Sequence, residues 1–399
     1  MKAVVLAAGK STRTYPLTVN MPKALLPVAN TPVLEHNLRQ LQGVVEGAVI
    51  VCGFGSAMIQ QMFGGSYGRL KLSYAEQKQQ LGTGNALMAA DGMVSGKFLV
   101  LMGDDIYGGD DIKRCAKRGF SILAGRVNDI SSFGEVLSVN GFLSGIREKP
   151  ERGGAGLVNT GLYVVDERIF GILAKLRKSS RGEYELTDAV SAFAKVERVA
   201  VEESEFWQPI TYPWSLLDAN EAILKRYEKE KTQISSGAVV EKGAIMKGFV
   251  SVGKGTLVRS GTYIEGPVMI GENCKIGPNC YIRLYTAIGS NCKIGNAVEV
   301  KNSILMDNAV IGHLSYCGDS VIGEGVNFGA GTIVANLRHD NGNVKSMVKG
   351  ALIATGRRKL GAIIGDKAKT GIHTSIYPGR KIWPGKTTMP GEVVKKDVI

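Results

Sequence analysis

In the second half of this 399-residue chain, His313 and Tyr316 fall three residues apart, side chains with the chemistry to move a proton and to donate a hydrogen bond. Only four histidines occur in the chain, and His313 falls in the run GHLSYCGDS, where an otherwise regular repeat breaks. An imidazole with an ordinary pKa near neutrality has the chemistry of a general base. The first half offers a different kind of chemistry. In Leu6–Pro27 (LAAGKSTRTYPLTVNMPKALLP), Gly9 and Ser11 form a small-residue turn that lets backbone N–H groups approach phosphate oxygens. Arg13 and Lys23 add mobile positive charge beside it. The Gly-x-x-x-x-Gly-Lys frame is missing, so this is not a Walker motif.

The elements that must position these residues differ between the halves. From Ile234 to Met306 an aliphatic residue recurs at every sixth position (Ile234, Val240, Met246, Val252, and so on). Four residues after many of these anchors comes a small or β-branched one, among them Thr256, Thr262, Cys274, Cys280 and Cys292. A helix repeats every 3.6 residues and a strand every two, so neither produces this period. A triangular parallel β-helix of hexapeptide faces does, with its coils stacked about 4.8 Å apart. The phase slips between Met306 and Val310, then continues through Val310, Tyr316, Ile322, Phe328 and Val334. In the first half, Val4–Leu6, Ala48–Val51 and Phe98–Met102 read as short buried strands. They alternate with helical stretches at Leu34–Leu41 and Gly84–Ala90, the pattern of a doubly wound α/β domain with its site at the carboxyl ends of the strands. A helix from Ser215 to about Lys231, striped by Leu216, Leu217, Ile223, Leu224 and Tyr227, marks the boundary. The expected domains are residues 1–228 and 229–399.

Composition narrows the function classes. Apolar residues make up 44 % and charged ones 21 %, as in a globular protein, and two domains fit the length. Met1–Ala8 is too short for a membrane span or a signal peptide and reads as a buried strand, so a cytoplasmic location is expected. Cys274, Cys280 and Cys292 fall on the inward phase of the repeat and read as packing residues rather than as a disulfide or zinc set. The formal net charge is +13, but Lys and Arg are dispersed with no aromatic-rich basic stripe. That favours small phosphorylated substrates over nucleic acid.

The opening run resembles that of the sugar-1-phosphate nucleotidylyltransferases, Leu-Ala-x-Gly-x-Gly-Thr-Arg followed by Pro-x-Thr and Pro-Lys, with Ser11 in place of the second glycine. Further segments match in family order. Gln77 to Thr83 (QKQQLGT) is similar to the base-reading segment, which implies nucleotide contacts from Gln77, Gly82 and Thr83. Gly103-Asp104 resembles the segment bearing the metal-binding aspartate. Phe133-Gly134, Glu148-Lys149-Pro150 and Asn159-Thr160-Gly161 resemble the sugar- and phosphate-binding segments, and RGEYELTDAV from Arg181 is another hallmark. The resemblance implies a GT-A/Rossmann-like fold and Mg²⁺-assisted attack of a sugar-1-phosphate on the α-phosphorus of UTP or dTTP. Arg13, Lys23 and Lys149 would offset the phosphate charge. One departure stands out: the family's second metal-binding aspartate, in a Trp-x-Asp segment, is replaced by Pro209 in Trp207-Gln208-Pro209.

The second half resembles the left-handed parallel β-helix acetyltransferase domain of the bifunctional bacterial enzyme that makes UDP-N-acetylglucosamine, and its archaeal counterparts. The runs VEVKNS, GHLSYCGDS and VNFGAGTIVAN carry the likeness. It implies His313 as the base for a hexosamine amine attacking acetyl-CoA, with Arg283 and Lys301 on the sugar phosphate. Tyr316 and Asn327 would bond the sugar or its phosphate, and Asn336 would orient the amine or steady His313. Backbone N–H groups around Ala330 would stabilise the oxyanion. Leu337–Gly350 reads as an excursion loop, and Arg357 and Arg358 as contacts for coenzyme A phosphates. The resemblance also implies a homotrimer and no membrane partner. Two other readings remain at this point: an acetyltransferase with a silent first domain, which Pro209 favours, and a non-catalytic assembly subunit.

Overall fold

The computed structural model describes residues 1–151 and 153–399. Contacts divide the chain into two compact units. One comprises residues 1–10, 21–25 and 33–209; the other comprises 11–20, 26–32 and 210–399.

The first unit is built on a ten-stranded mixed sheet. Its parallel centre runs Lys97–Met102, Lys2–Ala7, Gly47–Cys52 and Leu70–Glu76, with Val4 in register with Val49 and Val100. The first three of these strands are almost continuously apolar because helices cover both faces. Val4, Val49 and Val100 pack to one side, and Val5, Ile50 and Leu101 to the other. Ser121–Val127 and Gly156–Asp166 extend the sheet toward the hairpin Gly134–Val139/Phe142–Glu148. The strands and helices expected between Val4 and Met102 all form, each within a residue or two of its expected ends.

The second unit is a left-handed parallel β-helix whose coils stack into two eight-stranded sheets and one six-stranded sheet. Successive anchors pair across coils: Val252 with Ile270, Val258 with Ile276, Ile264 with Ile282. These anchors, with Thr256, Thr262, Cys274, Cys280 and Cys292 at the corners, are essentially inaccessible to solvent. All six cysteines are buried free thiols.

The break in the repeat lies earlier than the sequence suggests. Ile288 pairs with Leu305, Ile294 with Ile311 and Val300 with Cys317, so one residue is missing between Val300 and Leu305. A second is missing between Cys317 and Ile322, since Leu305 pairs with Ile322. Leu305, Ile311 and Cys317 therefore take the inward positions expected for Met306, Val310 and Tyr316. Because strand side chains alternate, this one-residue shift turns Tyr316 outward. Both shortened corners carry a residue in the left-handed region, Asn302 (φ 43°) and Asp319 (φ 51°).

Two further boundaries move. The excursion continues past Gly350: it contains the hairpin Lys345–Val348/Ala351–Ala354, and the Leu337–Lys359 bridge closes its base. The helix Ser215–Lys225 stops short of Lys231, because the following RYEKEK run lacks apolar residues to extend the stripe, apart from Tyr227, which stacks on Phe249. Asn220 on this helix accepts from the Ala29 N–H and donates to the Tyr285 carbonyl, while Asn30 donates to the Ile288 carbonyl. Lys381 donates to the Tyr15 carbonyl at 3.0 Å. The segments 11–20 and 26–32 are thereby held to this unit. Among the described residues, no helix is long and apolar enough to cross a membrane.

Candidate functional sites

At the carboxyl end of Lys2–Ala7 the chain turns through the exposed Gly9. Gln80 braces this turn: its Nε2 donates to the Ala8 carbonyl at 3.0 Å, and its Oε1 accepts from the Lys10 N–H at 3.3 Å. Sequence reasoning passed over Gln80, although its place beside Gln77 in QKQQLGT was a signal. Ser11 adopts a left-handed conformation (φ 50°), and its carbonyl accepts from the hydroxyls of Thr14 and Thr18. Arg13 extends into solvent from the short 3-10 helix Thr12–Thr14.

Lys23 and Asp104 meet. Lys23 is buried, and its Nζ lies 2.6 Å from Asp104 Oδ2, where Asp104 follows the strand Lys97–Met102. The neighbouring Asp105 accepts the Trp207 indole N–H at 3.0 Å. The strand Trp207–Pro209 runs antiparallel to Asp105–Tyr107 and puts Pro209 directly in register with Asp105. Pro209 therefore sits beside the Asp104 turn and offers no side-chain donor. No group of three or more His, Cys, Asp or Glu side chains suited to a metal occurs among the described residues. A divalent cation at Asp104 would take most of its ligands from phosphate and water, which is how Mg²⁺ is commonly held.

Gln77 is buried, and its Nε2 donates to the Gly82 carbonyl and to Asn85 Oδ1, both at 3.0 Å. Gly82 has φ 103°, and an added Cβ would press on the Tyr184 carbonyl at 2.7 Å. Thr83 Oγ1 accepts from the Leu186 N–H, so the RGEYELTDAV segment holds the Gly82–Thr83 turn. Gly134 pairs with Glu148, and Lys149 (φ 41°) donates its N–H to the Phe133 carbonyl. Glu148 accepts from Arg181, and Lys149 is exposed. Asn159 donates to Tyr163 and accepts from the Gly161 N–H, while Thr160 is buried against the Leu123 carbonyl. These segments thus position one another through both side-chain and backbone bonds, and Lys149 projects from them as an exposed cation.

In the β-helix, Lys301, Tyr316 and Asn336 come together. Asn336 Nδ2 lies 3.0 Å from Tyr316 Oη and 2.6 Å from Asp319 Oδ2, and Lys301 Nζ lies 3.2 Å from the same Asp319 oxygen. Burial, followed by the Asp319 charge, raises the Tyr316 pKa and keeps its hydroxyl protonated. Arg283, one coil away, pairs with Glu299 at 2.8 Å, chiefly through a hydrogen bond that raises its pKa further. His313 ends the strand Val310–His313 and is exposed. The strand Tyr316–Gly318, which carries Tyr316 into the Lys301–Asn336 cluster, follows on a different sheet of the β-helix. Asn327 lies on the same sheet as Val310, a different face from Tyr316. Ala330 accepts the His373 N–H, and Gly331 donates to the His313 carbonyl. Arg357 is committed to an ion pair with Asp218, whereas Arg358 is exposed and bonds Asn341.

A groove of ≈ 550 Å³ on the Tyr316 face is lined by Tyr263, Tyr281, Glu299, Leu314, Tyr316 and Ile333. The 18-residue spacing of Tyr263 and Tyr281, each just before an anchor, was the missed sequence signal.

Comparison with known proteins agrees with this division of chemistry. Residues 2–226 match the family model "Nucleotidyl transferase", and residues 264–389 match "GMPPB C-terminal domain". The chain is 38 % identical over 384 residues to the "Bifunctional protein GlmU" of Methanocaldococcus jannaschii, covering 96 % of this chain and 92 % of that protein. It is 40 % identical over 407 residues to the "Bifunctional sugar-1-phosphate nucleotidylyltransferase/acetyltransferase" of Sulfurisphaera tokodaii, covering 100 % and 98 %. A solved structure of a putative glucose-1-phosphate thymidylyltransferase from Bacillus anthracis superimposes with TM-score 0.51 at 28 % identity, covering 55 % of this chain and 94 % of that one. The matched halves and the near-complete coverage together show that the chain belongs to the archaeal-type bifunctional sugar-1-phosphate nucleotidylyltransferase/acetyltransferase family.

Proposed function

We propose that the chain acetylates glucosamine-1-phosphate with acetyl-CoA and joins the product to UTP, giving UDP-N-acetylglucosamine and pyrophosphate. We assign the nucleotidyl step to residues 1–228 and acetyl transfer to residues 229–399. The observation that carries the reading is the assembly of Lys301, Tyr316 and Asn336 on one face of the β-helix, with His313 exposed at its edge.

In acetyl transfer the hexosamine nitrogen attacks the thioester carbonyl. The C–N bond forms, the C–S bond breaks, and coenzyme A leaves as thiolate. His313 accepts the proton from the nitrogen and can return it to the thiolate. Lys301 and Arg283 hold the sugar phosphate, and Tyr316 donates from its protonated hydroxyl. The groove lined by Tyr263, Tyr281, Tyr316 and Ile333 lies on the same sheet of the β-helix as Lys301. A homotrimer in which a second copy closes this groove fits that geometry.

In nucleotidyl transfer the sugar-phosphate oxygen attacks the α-phosphorus and pyrophosphate leaves. Backbone N–H groups at Gly9, together with Arg13, Lys23 and Lys149, offset phosphate charge, and Gln77 and the Gly82–Thr83 turn shape the base site. Asp104 and the substrate phosphates form a donor set that fits Mg²⁺, which supplies further charge neutralisation when bound. A cytoplasmic location suits these substrates.

The test is a mass-spectrometric assay of pure protein with glucosamine-1-phosphate, acetyl-CoA, UTP and Mg²⁺. UDP-N-acetylglucosamine is expected from the wild type, and the rate of N-acetylglucosamine-1-phosphate formation should fall about 10²–10⁴-fold with His313→Ala. N-acetylglucosamine-1-phosphate accumulating in the wild type without the UDP-sugar would refute the first-domain assignment and leave acetyl transfer alone.

A further inference from the structure

Asp319 is 2 % exposed and sits at the second shortened corner of the β-helix. Its Oδ2 accepts from Asn336 Nδ2 at 2.6 Å and from Lys301 Nζ at 3.2 Å, and its Oδ1 accepts from Asn302 Nδ2 at 2.9 Å. Three side chains thus converge on one buried carboxylate, which no substrate needs to touch. The backbone fixes it as well: the Asp319 N–H donates to the Lys301 carbonyl, and the Gly361 N–H donates to the Asp319 carbonyl. The cluster also requires Gly318, where a Cβ would run into the Tyr316 hydroxyl and the Asn336 amide.

We propose that Asp319 is a positioning residue that sets the hydrogen-bond polarity of the acetyl-acceptor site, and so its preference for a 2-amino sugar over a 2-hydroxy sugar. The inference rests on the acetyltransferase reading above and deepens it. An ionised carboxylate only accepts, so it forces the Asn336 amide to turn its nitrogen inward. Both Nδ2 hydrogens are then engaged, one by Asp319 and one by Tyr316. What Asn336 has left to offer a ligand is Oδ1, an acceptor. Tyr316, already accepting from Asn336, is left with its hydroxyl proton to donate. The pair therefore presents an acceptor for a sugar ammonium or amine and a donor for a hydroxyl or phosphate oxygen. A 2-hydroxyl can donate to the same oxygen, but an ammonium does so with the added strength of its charge. Without a carboxylate at 319 the Asn336 amide is free to flip and present its nitrogen, which a hydroxyl can accept from and an ammonium cannot.

The test compares binding of glucosamine-1-phosphate and glucose-1-phosphate to the full chain by calorimetry without acetyl-CoA, in wild type and Asp319→Asn. The wild type is expected to prefer the amino sugar. In D319N that preference should fall about tenfold, within the usual worth of a hydrogen bond to a charged group, while glucose-1-phosphate affinity changes less. Equal weakening of both sugars would show that Asp319 only supports the fold or the phosphate site, and would overturn the proposal, as would an unchanged ratio. Thermal midpoints of the two proteins report folding. If D319N does not fold, Asp319→Ser serves instead: it removes the carboxylate with a smaller side chain and should lose the preference in the same way, and keeping it would overturn the proposal. A wild type that binds neither sugar phosphate would instead sink the acetyltransferase reading itself.

Discussion

His313 ends a strand on one sheet of the β-helix and Lys301 and Tyr316 lie on the next, so substitutions should separate proton transfer from binding. His313→Ala is expected to lower kcat for acetyl transfer about 10²–10⁴-fold with little change in KM for the sugar phosphate. Lys301→Ala should act mainly on KM. A steady-state assay of both variants checks the split, and a large KM change for H313A would count against the base assignment. In the nucleotidyl half, Pro209→Asp places a carboxylate in register with Asp105. It should lower the Mg²⁺ concentration needed for half-maximal UDP-sugar formation; an unchanged Mg²⁺ titration would mean that the position does not face the metal. The polar residues proposed for the β-helix site were named through the family resemblance of the runs VEVKNS, GHLSYCGDS and VNFGAGTIVAN, since residue type alone singles out only His313 at the break in the repeat. Asp319 was passed over despite lying in the same run, because a lone aspartate in a sequence does not reveal that three donors converge on it. Gln80 was missed for a similar reason: its two backbone partners, at residues 8 and 10, are distant in sequence.

The hexapeptide period made the β-helix legible down to individual inward residues as far as Val300. Beyond that the reading drifted, because dropping one residue at a corner leaves the next aliphatic residue plausible in two phases. Met306 and Val310 are as apolar as Leu305 and Ile311, and only pairing between coils decides between them. The corners themselves are tightly built. A Cβ on Gly271 would lie 2.6 Å from the backbone of Gly289 one coil away. Gly271→Ala is therefore expected to destabilise the protein by about 1–3 kcal/mol, read as a lower thermal midpoint; an unchanged midpoint would mean that the coils can spread. Lys381 gives the last coils a pH dependence. It is 1 % exposed, and burial pushes its pKa down to about 8 from the ordinary value near 10.5. Between those values the unfolded chain holds a proton that the folded chain has released, so stability rises with pH across that window. Below about pH 8 the full penalty applies, on the order of 3 kcal/mol. Urea midpoints at pH 7.5 and 9.5 should show the wild type gaining more with pH than Lys381→Met, and parallel profiles would exclude Lys381 as the source.

At the scale of the whole molecule, the sequence indicated two halves with two chemistries. It did not show that residues 11–20 and 26–32, part of the opening phosphate-turn motif, pack with residues 210–399. The strands and helices of the first half are recognisable from local patterns, but Leu17, Leu26 and Val28 are buried by contacts that no local pattern announces. A chain ending at residue 209, which lacks the whole segment 210–399 that they pack with, should therefore keep the central sheet yet expose these side chains. Limited proteolysis should cut it between residues 11 and 32, where the intact protein resists, and equal resistance would mean that the segment needs no such support. The bond from Lys381 to the Tyr15 carbonyl joins positions 366 residues apart in the chain. During synthesis at ~5–20 residues per second, the first loop to leave the ribosome waits roughly 20–70 s for a partner made almost last. Over that interval the Tyr15 carbonyl lacks its Lys381 donor, so the opening loop reaches its final bonding only once the last coils have emerged.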